Sequence, residues 1–201
     1  MGSLRLPILI ASWLVSIFWC RPAAGQWAIA AEVGADRFWG GSAETGPEGR
    51  SFRPYRPTTF GAGLVRRGRR VGFGLRLRHA SAALAFEGSD ALVAAKGIFT
   101  VYSASPEVIY RVTTVGAGNL LLLHGGPLFE LWSVSNEDSQ RRVGIQGAVS
   151  LLVPLGRRFA GTFSAGAAVT PSPFQSDQLD AGFERRALWR RRVAGGLEYR
   201  L

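Results

Sequence analysis

RVGIQGAVSLLVPLGRRFAGTFSAGAAVT, residues 142–170, reads as two amphipathic strands joined by the short turn Pro154-Leu155-Gly156-Arg157. Val143, Ile145, Gly147, Val149, Leu151 and Val153 share one face of the first strand, and Arg142, Gly144, Gln146, Ala148, Ser150 and Leu152 share the other. The second strand repeats the pattern, with Phe159, Gly161, Phe163, Ala165, Ala167 and Val169 on one side and small or polar residues on the other. Strict period-two alternation over about ten residues per strand is the pattern of a tilted β-strand that crosses a bilayer with one face in lipid.

Working outward, eight such strands fit the chain, at about residues 26–38, 56–66, 69–82, 98–113, 119–134, 141–154, 157–170 and 186–201. The connections near Gly68, Gly116 and Gly156 are short. Those at 39–55, 83–97, 135–140 and 171–185 are longer and richer in polar residues, glycine or proline, as in a mobile surface loop carrying Arg50, Arg53 and Arg56. An even strand number with alternating short and long connections predicts an all-β, eight-stranded antiparallel up-and-down transmembrane barrel, closed because hydrocarbon tolerates no unpaired strand edge. Pairing Arg66 with Arg69 in the second hairpin sets Leu64 opposite Val71, Ala62 opposite Phe73 and Phe60 opposite Leu75, all on the lipid face. Folding the fourth strand on the fifth sets Pro106 opposite Pro127, neither of which can donate to the ladder, so the pairing should be interrupted there. Trp27, Tyr110, Phe159 and Tyr199 are expected at the inner membrane boundary of the barrel, and Trp39 and Trp189 at the outer one.

Residues 1–25 precede this pattern and read as a signal peptide. Arg5 opens a basic start, Leu6–Trp19 is apolar, and Ala23-Ala24-Gly25 offers a cleavage site before Gln26. The only cysteine, Cys20, falls in this segment, so residues 26–201 would form the barrel without disulfides. The net charge of +10 is almost wholly arginine, Lys96 being the one lysine. The arginines are spread over strands and turns rather than gathered on one face, which argues against a nucleic-acid partner. With two histidines and no cysteine after residue 25, neither a transition-metal site nor a cofactor is expected.

Gly196, Tyr199 and Leu201 resemble the terminal assembly signal by which the barrel-assembly machinery recognises bacterial outer-membrane barrels. Pro127-Leu128-Phe129-Glu130-Leu131-Trp132 is similar to a recurring fifth-strand pattern of such proteins. The region after the signal segment resembles the small eight-stranded outer-membrane barrels typified by the transmembrane domain of OmpA. That resemblance implies the fold and a place in the outer membrane of a Gram-negative-type envelope, amid lipid and lipopolysaccharide; the protein is expected to be a non-enzymatic monomer with a structural, adhesive or surface-interaction role.

Inside such a barrel the alternation places Glu32, Asp36, Glu107 and Glu130 with Arg76, Arg78, Arg111, Arg190 and Arg192, and Glu198 and Arg200 near the inner mouth. An eight-stranded barrel is just wide enough for its side chains to fill, so these charges should form a salt-bridged plug rather than a porin-like channel. Arg37 and Arg191 fall on the lipid face near the outer rim of the first and eighth strands, which become neighbours on closure. They could hold a lipid A phosphate, or snorkel to the interface without a ligand. The enzymatic alternative lies at His79-Ala80-Ser81 with Glu87, where a histidine and serine at the outer leaflet could attack a lipid ester. The arrangement resembles the His-x-Ser of outer-membrane lipid A deacylases, with Ala82 where that family has asparagine.

Overall fold

The computed structural model describes residues 26–44, 51–87, 92–134, 139–172 and 183–201. The signal segment 1–25, with Cys20, lies outside the described residues. Eight strands follow in chain order: β1 (Gln26–Glu44), β2 (Ser51–Arg67), β3 (Val71–Glu87), β4 (Leu92–Val115), β5 (Asn119–Val134), β6 (Gln140–Pro154), β7 (Phe159–Thr170) and β8 (Phe183–Arg200). Each pairs antiparallel with its neighbour, and β1 closes on β8 from Ala28↔Arg200 to Glu44↔Phe183, giving a closed barrel.

The alternation separates outside from inside. Phe60, Ile145, Phe163 and Val193 are each at least 60 % exposed on the exterior, whereas Ala28, Val65, Ile109, Leu122, Leu128 and Leu152 are buried in the lumen. In the β6–β7 hairpin Val153, Leu151, Val149, Gly147 and Ile145 pair with Gly161, Phe163, Ala165, Ala167 and Val169, so the two apolar faces form one outer surface as expected. Both aromatic girdles are present. Trp39 stacks on Trp189 at 6.3 Å, and Phe159 packs on Tyr199 at 5.2 Å. Ile29 pairs with Tyr199 and Trp39 with Trp189, so the belts lie ten residues apart along β1. At about 3.3 Å per residue and a tilt of about 40°, that spacing is about 25 Å, the height of the apolar band of a membrane barrel.

Three expectations require correction. The first four strands run further outward than the sequence pattern suggests. β1 continues to Glu44 and β2 starts at Ser51, so the expected loop 39–55 is largely strand, and β3 and β4 likewise take up most of 83–97. Gly40 and Gly41, with φ of 82° and 95°, do not end β1. They form a bulge between Gly40 and Ser42 in its ladder with β8. The side chains of Arg50, Arg53 and Arg56 lie outside those described.

The β2–β3 register is the second correction. The strands turn through Gly68–Arg70, pairing Arg66 with Phe73, Leu64 with Leu75, Ala62 with Leu77 and Phe60 with His79. The slip from the expected register is four residues. An even slip keeps every side chain on its face, so hydrophobic parity could not detect it. The third correction, to Arg111, is given with the lumen below.

The β4–β5 ladder behaves as expected at its prolines. Ala104 pairs with Phe129 and Val108 with Gly125, with no ladder pair between them, where Pro106 faces Pro127. The Ser105 hydroxyl donates to the Pro127 carbonyl at 3.0 Å, supplying a hydrogen bond where the backbone cannot.

Among the described residues the β1–β2 ladder stops at Ala35↔Thr58. Beyond it β1 stays with β8, and β2 stays with β3.

Candidate functional site: the charged lumen and the two rims

Parity sends ionisable side chains into a lumen with little water, so each charge must find a partner there. Glu32 on β1 is the hub. Its carboxylate accepts from Arg78 Nε at 2.9 Å and Arg192 Nη2 at 2.8 Å, and also from Arg76 Nη1. Room for it comes from Gly61 on β2, where an added Cβ would lie 2.8 Å from Glu32 Cγ and Oε1. Glu107 forms the second hub, 3.3 Å from Arg76 Nε and 3.5 Å from Arg78 Nη2. It also accepts from Gln146 Nε2 at 2.7 Å and lies 3.3 Å from His124 Nδ1.

Nearer the outer end, Arg190 Nη1 lies 2.9 Å from Glu130 and 4.0 Å from Asp36, and Asp36 accepts from the Thr59 hydroxyl at 2.9 Å. Arg192 Nε is 3.8 Å from Asp36, linking this cluster to the Glu32 hub. Trp132 donates its indole N–H to Glu130 at 2.9 Å and packs edge-on against Phe38. Glu32, Asp36, Glu107 and Glu130 thus face Arg76, Arg78, Arg190 and Arg192, four carboxylates against four guanidiniums. The void beside it is about 30 Å³, room for about two waters at most.

Eight of the nine residues expected in the interior network are brought together. Arg111 is the exception. It keeps the inward parity of β4 but sits exposed at the inner mouth, its Nη2 donating to Thr114 Oγ1 at 2.6 Å. The bulge between Arg111 and Thr113 shifts the ladder there, and Arg111 lies too far along the strand to reach the carboxylates. The sequence reading missed His124, Gln146 and Thr59 as members, although His124 shares the parity of Glu130 and Gln146 that of Arg142. It also missed that the inner end of the lumen is apolar, a cluster of Val65, Ile109, Leu122, Leu152 and Ala160.

At the inner mouth the buried Glu198 takes both terminal guanidinium nitrogens of Arg67. Gly196 packs against the Ala31 backbone, Tyr199 accepts from Arg158 Nη1 at 2.9 Å, and the Leu201 amide donates to the Trp27 carbonyl at 2.9 Å. The last residues are therefore stitched across the closing seam. Arg200 faces the same mouth.

At the outer rim Arg37 and Arg191 are direct cross-strand partners on the exterior. The Arg191 guanidinium lies 4.8 Å from the Trp39 ring centre, above the Trp39–Trp189 stack. Among the described residues neither arginine is paired with a carboxylate. His79 and Ser81 also face outward, and His79 packs on Tyr102 at 4.9 Å. Glu87 lies eight residues further along the same strand, about 25 Å away at the rise of a β-strand.

No family model matches the chain, and no curated protein matches it. Solved structures do. Outer membrane protein OprG from Pseudomonas aeruginosa aligns with a TM-score of 0.59 over 89 % of this chain and 97 % of its own, at 11 % identity. Neisserial surface protein A (NspA) aligns at 0.57 over 86 % and 96 %, also at 11 % identity. The N-terminal β-barrel domain of Pseudomonas aeruginosa OprF aligns at 0.50 over 88 % and 99 %, at 13 % identity. At such identities the likeness concerns architecture, and the chain has the fold of the small outer-membrane β-barrels.

Proposed function

We propose that the protein is a non-enzymatic, monomeric, non-conducting barrel of the outer membrane that serves a structural and surface-interaction role, held in place by lipopolysaccharide. The salt-bridged network around Glu32 and Glu107 carries this reading, since its side chains cross the middle of the lumen and leave a void of only about 30 Å³ beside them. The surface role is supported by the outer end of β1, which continues beyond Trp39 of the aromatic belt to Glu44. Planar-bilayer recording on the reconstituted protein tests the sealed lumen: no stepwise conductance is expected, and regular single-channel openings would refute it.

The lipopolysaccharide contact rests on Arg37 and Arg191. Like charges directly opposite on a sheet repel, and an anion between them turns that repulsion into attraction. Guanidinium groups suit the bidentate binding of phosphate, and the Trp39 ring fixes one of them at the interface. Replacing both arginines with alanine is expected to strip most copurifying lipopolysaccharide from the barrel without unfolding it. Unchanged copurification would exclude the contact.

A further inference from the structure

The small void beside the charged network has a wall of uneven charge. Arg76, Arg78, Arg190 and Arg192 all border it, whereas Glu107 is the one carboxylate that does; Glu32, Asp36 and Glu130 do not reach the wall. Ser150 on β6 and Ser164 on β7, direct cross-strand partners, bring two hydroxyls to it. Ala148, Gly166 and Ala168 are too small to fill the space that the arginines leave.

Polar atoms at this place lack partners. Arg192 Nε and Nη1 are buried without a hydrogen bond, and so is Nε2 of His124, whose side chain is 6 % exposed. Both residues border the void. A water would satisfy such groups without answering four guanidiniums set against one carboxylate. An anion does both, since guanidinium groups and hydroxyls donate to it and the surrounding charge offsets its loss of hydration. About 30 Å³ holds one halide ion, little larger than a water, and is too small for phosphate or a carboxylate ligand. On the inner side lies the apolar cluster of Val65, Ile109, Leu122, Leu152 and Ala160, and on the outer side the edge-on pair Phe38 and Trp132, both at most 2 % exposed. An ion in the void is therefore enclosed as the barrel closes, not passed through.

Across the whole network four guanidiniums already face four carboxylates, so an added anion calls for an added proton. His124 is placed to take it. Its Nδ1 lies 3.3 Å from Glu107, and a protonated ring donates from both nitrogens, to the carboxylate and to the anion. The charged groups facing the ring across the void are Glu107 on β4, Arg76 and Arg78 on β3, and Arg190 and Arg192 on β8; β6 and β7 present only the neutral Gln146, Ser150 and Ser164. Glu32 on β1 is held behind the guanidiniums of Arg76, Arg78 and Arg192.

We infer that the lumen holds one halide ion, chloride in a cell, between Arg192, His124 and the Ser150–Ser164 pair, and that His124 takes up a proton as the ion binds. The site lies inside the wall and is independent of the lipopolysaccharide contact at the outer rim.

Two measurements on the whole protein test this. Crystals of protein refolded in sodium bromide are expected to show one anomalous bromide peak among the guanidiniums, beside Ser150 and Ser164. In urea unfolding from phospholipid vesicles at matched ionic strength, chloride and bromide should raise the midpoint above that in fluoride, an ion that gives up its water less readily, because a ligand bound only by the folded state stabilises it. That halide gain should be larger at about pH 5.5 than at about pH 8, since the proton that accompanies the ion is available below the imidazole range and lost above it. Ser164→Leu fills the void and should remove both the peak and the halide gain, whatever its own midpoint. His124→Gln should make the halide gain independent of pH. Water alone in the void of bromide-refolded protein overturns the inference, as does a halide gain that persists undiminished in Ser164→Leu. A halide gain in the parent that does not change with pH overturns the coupled proton.

Discussion

Replacing Glu32 with glutamine keeps its shape and removes its charge, changing the lumen from four carboxylates against four guanidiniums to three against four. Three arginines converge on this carboxylate, two at 2.8 and 2.9 Å, and its side chain is only 6 % exposed. Removing one partner of a buried ion pair typically costs about 3–5 kcal/mol, because the charge left behind is neither solvated nor paired. The lower end of that range is expected here, since Arg76 and Arg78 keep Glu107 and Arg192 keeps Asp36. Arg192 is the natural second site. Its Nε and Nη1 already lack hydrogen-bond partners, and methionine would fill much of its volume while restoring neutrality. The double variant Glu32→Gln, Arg192→Met should be more stable than the sum of the single effects by at least about 1 kcal/mol, as expected for groups in one network. Equilibrium urea unfolding in phospholipid vesicles, followed by tryptophan fluorescence, measures all three. A loss below about 1 kcal/mol for Glu32→Gln, or strict additivity in the double variant, would refute the network as the element that seals and stabilises the lumen.

Other outcomes follow from the same geometry. Val193→Arg places a charge on the lipid face between the two aromatic belts of β8 and should destabilise the barrel by about 2–4 kcal/mol in the same unfolding assay. Gly61→Ala forces a Cβ against the Glu32 carboxylate, which its arginines prevent from moving aside, and should cost about 1–3 kcal/mol. Gly63→Ala, whose Cβ would meet nothing closer than 3.4 Å, should be tolerated with a midpoint close to that of the parent.

Most of the architecture was written in the alternation of residues along each strand. Period two assigns a side to every residue, so the outer surface of β6 and β7, the two aromatic belts and eight of the nine network members followed from counting. Arg37 and Arg191 were readable as neighbours because closure brings the first and last strands together, and the ladder pairs them directly. The interrupted ladder at Pro106 and Pro127 followed from the missing proline donor.

What escaped the sequence has physical reasons. Parity is blind to even slips, so the β2–β3 register could be four residues out without moving a side chain to the wrong face. Glycine pairs look like turns, and only the bulged ladder with β8 shows that Gly40 and Gly41 lie within β1. Parity also says nothing of depth. It put Arg111 inside without showing that it sits at the mouth, and it did not separate the apolar inner cluster from the charged middle of the lumen.

The inside–outside assignment underlies every conclusion above, and nitroxide scanning of Gly144–Leu152 tests it most directly. One cysteine-linked probe is placed at each position of the protein in vesicles, and its accessibility to oxygen and to a water-soluble nickel reagent is measured. Positions 145, 147, 149 and 151 are expected to be accessible to oxygen and shielded from nickel, and 144, 146, 148, 150 and 152 to be shielded from both, a strict period of two. High nickel accessibility at 145, 147, 149 and 151 would place that face in water and contradict a membrane barrel.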